Sequence, residues 1–242
     1  KGGLAFRSIH DCGRIRGIAG KGKKAVVVGG GLLGLEAAHA LTTLGMDVTI
    51  VHLMGSLMEK QCAQVAADLL KNDVEALGIR VMLGREVAEF LGTDSLCGLR
   101  FKDGAEIDAD LAVISIGIRP NKALAESSGV YCARGIVVSD VMQTYDPSIY
   151  AVGECVEHRG STFGLVAPIF EQAKVVASHL AGDCRLVFVN RPTSARLKVP
   201  SIDFYSAGEV TREGGETIEY LDRSARVYKK VVLRQGRVAG IL

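Results

Sequence analysis

No tryptophan occurs among the 242 residues and aromatic side chains make up only 5% of them, so there is little from which to build a surface that stacks bases. An excess of one charge is missing too: 29 basic residues face 27 acidic ones, the formal net charge is +2, and no block of like charges occurs. Neither nucleic acid nor membrane is therefore expected as a partner. No apolar stretch approaches the ~18 residues of a spanning helix, and the opening KGGLAFRSIHDCGRIRG lacks the apolar centre of a signal peptide. The expected compartment is the cytoplasm. Six cysteines, Cys12, Cys62, Cys97, Cys132, Cys155 and Cys184, are too scattered to form a CxxC pair, so reduced thiols and no metal site are expected.

What is present is an ordinary globular composition, 48% hydrophobic and 23% charged, at a length that suits one large domain or two small ones. Residues 1–23 are rich in glycine and basic groups and begin without methionine, so they are expected to be the remnant of something longer. Ala25 to Val28 is an apolar β-branched run that stops at three glycines, as a buried parallel strand would. Leu33, Ala37, Ala40, Leu41 and Leu44 then recur at helical spacing, and Asp47 to Val51 reads as the next strand. A second helix over Gln61 to Leu77 and a strand over Ile79 to Leu83 complete a β-α-β-α-β pattern. From Glu86 to Ile107 the period drops to two, which predicts an antiparallel ribbon before a buried strand at Leu111 to Ile116. Further strands are expected at Ile136 to Val138 and Ile149 to Val152, a helix over Pro168 to Leu180, and a hairpin over residues 226–234 turning near Gln235-Gly236.

The run AVVVGGGLLGLEAA, Ala25 to Ala38, holds a GxGxxG in the context that gives that motif its meaning, after a strand and opening a helix. Gly29 allows the tight turn, Gly31 lets a pyrophosphate approach the backbone, and Gly34 lets helix and strand pack closely. Gly30, Leu32 and Leu33 complete the candidate turn, whose free amides and helix dipole favour a diphosphate. A glycine-rich turn without a ligand is the plainer alternative.

At the end of the second strand, where an acidic residue commonly accepts hydrogen bonds from the ribose hydroxyls, stands His52. A neutral imidazole can accept one such bond and a protonated one can attract a 2′-phosphate, so NAD(H) and NADP(H) are both admissible. A surface histidine without a ligand role is the alternative. The absence of Arg or Lys from VHLMGS favours NADH. Glu36 is expected on the first turn of the helix, either answering the helix dipole or reaching the nicotinamide end of the cofactor.

Together with SIGIRPN at Ser115 to Asn121, TYDPSIYAVGEC at Thr144 to Cys155 and GLVAPIFEQAK at Gly164 to Lys174, the glycine segment resembles the FAD- and NAD(P)H-dependent reductases of pyridine nucleotide-disulfide oxidoreductase type. Within them, VHLM and AVGECVEHRG resemble the large subunits of assimilatory NAD(P)H nitrite reductases and their electron-transfer relatives. The resemblance implies an α/β fold in which a Rossmann-like three-layer NAD(P)H-binding domain, residues 24–122, is inserted in an FAD-binding domain. Residues 123–190 would be the C-terminal part of that FAD-binding domain, and residues 191–242 a partial small α+β unit. It also implies that Gly117 lines the nicotinamide site, that Gly153 and Glu154 meet the ribityl and phosphate region of FAD, and that Pro168 lies near the flavin ring. Read from the residues alone, Gly153-Glu154 is a plain strand-end turn.

Two departures limit the transfer. The family begins with a separate FAD-binding GxGxxG, and none precedes Lys24, so FAD is expected in the intact protein and can be absent from this piece. No cysteine cluster for sirohaem or an iron–sulfur centre is present either, so nitrite would be reduced elsewhere. The expected activity is hydride transfer from NADH to FAD, feeding a downstream sirohaem or iron–sulfur domain or an acceptor protein. Such chemistry belongs to the cofactors, and no catalytic acid, base or nucleophile is singled out. A homodimer is compatible with this. The alternatives are a non-catalytic nucleotide-sensing module, a reductase of a rubredoxin- or ferredoxin-type carrier, and, weakened by the absent dithiol, a disulfide reductase.

Overall fold

A computed structural model describes residues 3–211 and 214–242. They divide into two compact units, one of residues up to 117 together with 194–242, the other of residues 118–193.

The first unit opens with β1 (Gly3–Ala5) and α1 (Ile9–Ile18), then β2 (Lys24–Val28), α2 (Leu32–Thr43), β3 (Asp47–His52), α3 (Gln64–Ala76) and β4 (Arg80–Leu83). A ribbon of β5 (Val87–Leu91), β6 (Gly98–Phe101) and β7 (Glu106–Asp108) precedes β8 (Leu111–Ile114). The main sheet runs β1-β8-β2-β3-β4, parallel throughout. Its central strand shows why the apolar run forms a strand covered on both faces. Ala25 and Val27 enter a core with Leu35 and Leu41 of α2 and Leu70 and Val74 of α3, whereas Val26 joins Val51, Ala112, Leu99 and Phe101 beneath the ribbon. Alternate side chains of one strand thus bury two different layers, and the result is the three-layer α/β arrangement.

Residues 3–18, expected to be part of a remnant, hold an edge strand of this same sheet and the helix that follows it. β1 pairs in parallel with β8, Leu4↔Val113, and α1 starts in a capping box in which the Ser8 hydroxyl accepts from the Asp11 amide and the Asp11 carboxylate accepts from the Ser8 amide.

The second unit holds α4 (Ala123–Ser127), β9 (Ile136–Val138), β10 (Val156–His158), β11 (Ser161–Thr162) and α5 (Val166–Leu180). Its core is Val138, Met142, Val156, Phe163, Val175 and Phe188, with His158 and Phe188 edge to face at 5.0 Å. The strand expected at Ile149 to Val152 does not form. Tyr150 makes only an isolated bridge to Gln143, the chain turns at Gly153, and the partner that β9 takes in parallel is β10.

The chain then returns to the first unit as β12 (Ser194–Arg196), β13 (Tyr205–Gly208), β14 (Glu216–Asp222), β15 (Val227–Arg234) and β16 (Arg237–Ile241), an antiparallel sheet ordered β12-β13-β16-β15-β14. The β15–β16 turn has Gln235 at φ 50° and Gly236 at φ 71°, the left-handed pair that matches hairpin twist. Leu197, Val199, Ile202 and Phe204 share one hydrophobic core with α2 and α3, and Arg226 reaches Asp73 of α3 at 2.8 Å.

Candidate functional site

The four glycines between β2 and the first turn of α2 do different work. Gly29 sits at φ 119°, and a β-carbon there would collide with the carbonyl oxygen of Ser115 just beyond β8, so no other residue fits. A β-carbon on Gly34 would collide with the Gly29 carbonyl oxygen, so the first turn of α2 can settle on the loop only as glycine. Gly31 differs, since a β-carbon there would meet nothing within 4 Å among the described residues. It is the N-cap of α2 and offers no side-chain cap, which leaves the amides of Leu32, Leu33 and Gly34 without intrahelical acceptors. Open space before uncapped amides at the positive end of a helix dipole suits an anion such as a diphosphate.

Gly30 is held inside the protein instead. Its N–H donates to His52 Nδ1 at 3.1 Å, its carbonyl accepts from the Met58 amide at 3.0 Å, and an added β-carbon would stand 2.6 Å from Leu57 Cδ2. An imidazole nitrogen that accepts from an amide carries no proton, so His52 is neutral here with its proton on Nε2, which donates to Glu59 Oε2 at 3.0 Å. His52 is therefore no surface histidine. Its side chain is 11% exposed and both ring nitrogens are engaged. The loop that brings Glu59 back is fixed by the fully buried Leu57 and Met58, the latter in the left-handed region at φ 54°.

Sequence reasoning missed Glu59. The only signal was an acidic residue seven positions beyond the strand end, in a stretch whose return to Gly30 depends on tertiary packing. Glu36 also sits differently from expectation, because the first turn of α2 holds no acidic residue. It stands on the second turn, where Oε1 accepts from the Lys198 amide at 3.1 Å and ties α2 to the segment after β12. Gly117, at φ 96° with open space around it, lies two residues beyond the Ser115 that abuts Gly29. The glycine turn, His52, Glu59 and the start of the SIGIRPN loop thus meet at the C-terminal ends of β2, β3 and β8, where open α/β sheets bind ligands.

Gly153, Glu154 and Pro168 belong to the second unit. Gly153, at φ 107° with nothing near a hypothetical β-carbon among the described residues, donates its N–H to Gln172 Oε1 at 2.9 Å; Gln172 is fully buried and its Nε2 has no partner among the described residues. Pro168 is the third residue of α5, a position whose amide has no intrahelical acceptor. α5 also begins without a side-chain cap. An open glycine backbone and an uncapped helix start fit the phosphate and ribityl part of a flavin. Among the described residues no group of three or more His, Cys, Asp or Glu could hold a metal ion, and no helix is long and apolar enough to cross a membrane.

Residues 1–178 match the model of the pyridine nucleotide-disulphide oxidoreductases, and residues 194–242 match the C-terminal domain of rubredoxin NAD+ reductase. The chain is 47% identical to a nitrite reductase [NAD(P)H] of Bacillus subtilis, covering 99% of this chain and 30% of that protein. It is 43% identical to the assimilatory nitrate reductase electron transfer subunit of the same organism, over 100% and 32%, and 37% identical to the nitrite reductase (NADH) large subunit of Escherichia coli, over 96% and 28%. The chain thus spans about a third of the length of these relatives. Among solved structures, the putidaredoxin reductase–putidaredoxin complex aligns with a TM-score of 0.87 at 25% identity, over 99% of this chain and 59% of that one. A NAD-dependent persulfide reductase of A. fulgidus aligns at 0.85 and 28%, over 100% and 49%.

Proposed function

The chain belongs to the pyridine nucleotide-disulphide oxidoreductase family, and from that premise we propose that it is the NAD(P)H-binding portion of a flavin-dependent reductase that passes hydride from NADH to FAD and supplies electrons for nitrite reduction. The observation that carries this reading is the open space at Gly31 before the uncapped amides of Leu32, Leu33 and Gly34. Those amides hold the diphosphate, Gly29 and Gly34 shape the turn that presents them, and Gly117 gives the nicotinamide a backbone without a side chain. In the second unit, Gly153, Glu154 and Pro168 are the residues that would hold the flavin. The bound cofactors supply the chemistry, a hydride that oxidises NADH and reduces FAD, and the chain binds and orients them.

In the same reading a sirohaem or iron–sulfur domain, or a separate acceptor protein, takes the electrons in the cytoplasm, and a homodimer is compatible with it. A second reading, a reductase of a rubredoxin- or ferredoxin-type carrier, is favoured by the match of residues 194–242. Titrating NADH into the full chain, followed by calorimetry or nucleotide fluorescence, is expected to give saturable binding. No saturation by millimolar nucleotide overturns the proposal.

A further inference from the structure

We infer that Glu59, held in place by His52, reads the adenosine ribose and makes the site prefer NADH to NADPH. This rests on the reading of the Gly29–Gly34 turn as a nicotinamide nucleotide site.

In dinucleotide-binding folds the two ribose hydroxyls are received by an acceptor at the end of the second strand of the unit, beside the glycine turn. Here that strand, β3, ends in His52, and both its ring nitrogens are already used, one by the Gly30 amide and one by Glu59. A histidine so engaged has no lone pair left for a hydroxyl. It does carry a carboxylate to that place. Glu59 Oε2 accepts the hydrogen bond of His52 Nε2–H at 3.0 Å, while Oε1 has no partner among the described residues and the side chain is 28% exposed. One oxygen is anchored and the other is free to accept, so the carboxylate function absent from position 52 returns through the neighbouring loop.

The placement is also stiff. Met58, next to Glu59, is fully buried and gives its amide to the Gly30 carbonyl, and Leu57 packs on Gly30. The carboxylate therefore shares a support with the turn that would hold the diphosphate, and a ribose one bond from that diphosphate meets it without a conformational search. Its charge discriminates as well. Hydroxyls donate to a carboxylate, whereas a 2′-phosphate brings like charge against it. Arg85, whose amide donates to the His52 carbonyl, has its guanidinium paired with Asp103. Lys60, exposed and next in the chain, is the rival determinant.

The test measures dissociation constants of NADH and NADPH by calorimetry for the full chain, Glu59→Gln, Glu59→Ala and Lys60→Ala. The parent is expected to bind NADH at least about 10-fold more tightly than NADPH. Glu59→Gln and Glu59→Ala are expected to weaken NADH by about 10- to 100-fold, the range for losing hydrogen bonds to a charged acceptor, while NADPH binds as well as before or better. Loss of the fold would weaken both nucleotides, so the ratio of the two constants is the readout. If the parent binds NADH and the ratio stays within two-fold in both Glu59 variants, or moves only in Lys60→Ala, the inference is overturned and the nucleotide-site reading stands. If the parent binds neither nucleotide, that reading falls and the inference with it.

Discussion

The carbonyl oxygen of Gly29 lies where a β-carbon on Gly34 would stand, so the turn and the first turn of α2 are fitted to each other at backbone distance. Gly31, between them, faces open space. The two glycines should therefore fail in different ways. Gly34→Ala forces backbone against backbone and is expected to cost about 3 kcal/mol, seen as a lowered midpoint in urea unfolding. Gly31→Ala, at a helix N-cap with φ −86°, is expected to cost under about 1 kcal/mol yet weaken NADH at least about 10-fold by placing a methyl before the amides. Equal loss of stability in both variants would contradict the division of labour.

Removing the imidazole of His52 leaves the Gly30 amide without its acceptor in a part-buried place. His52→Ala is expected to destabilise by about 2 kcal/mol, the scale of a stranded donor. His52→Gln, whose side-chain oxygen can take over the bond, is expected to recover part of that loss in the same urea titration. Identical midpoints for the two variants would show that packing, not the hydrogen bond, carries the effect.

How far these contacts were legible in the sequence depends on their range. The strand Lys24–Val28, the glycine turn and the hairpin at Gln235-Gly236 are written in consecutive residues, since β-branched runs and left-handed turn residues act locally. The clamp on Gly30 joins residues 30, 52, 58 and 59, and no local pattern announces it. β1 is three residues long and begins with glycine, so only its pairing with β8 defines it. Ile149 to Val152 has the composition of a strand, but Gly153 turns the chain and the parallel partner of β9 comes later. Leu197 and Val199, then Ile202 and Phe204, alternate only in two short pairs broken at Pro200, too brief to announce a packed segment, yet they close the core over α2 and α3.

Burial pushes the Cys62 thiol up to about 12, with a smaller contribution from the charge of Asp68. A raised folded-state value means that the unfolded chain loses this proton first on going alkaline. The contribution is fully present below the ordinary value of 9.0 and is lost as the pH climbs from there toward about 12. Tyr228, raised to about 12 chiefly by burial and then by Glu219, acts in the same direction above its ordinary 10.0. Urea midpoints are expected to fall steadily above pH 9, and Cys62→Ala to fall less steeply. At about pH 8, close to the ordinary thiol pKa, a maleimide reagent should label the exposed Cys97 and Cys184 and leave the buried Cys62 untouched until denaturant is added.

In the second unit, the buried Gln172 side chain holds the Gly153 amide through Oε1, and its own Nε2 has no partner among the described residues. Gln172→Leu keeps a similar volume and removes the unpartnered donor, but it strands the Gly153 amide, whereas Gln172→Glu keeps the acceptor and introduces a buried charge. The first is expected to change stability by less than about 2 kcal/mol, because removing one unsatisfied group offsets stranding another. The second is expected to cost more, because burying an uncompensated carboxylate is the larger penalty. Since Gly153 would sit against the ribityl and phosphate part of a flavin, the Leu variant should also release flavin more readily from the full-length protein, read as lost visible flavin absorbance after gel filtration. Flavin retained at the parent level, with the Gly153 amide unsupported, would show that this turn does not hold the cofactor.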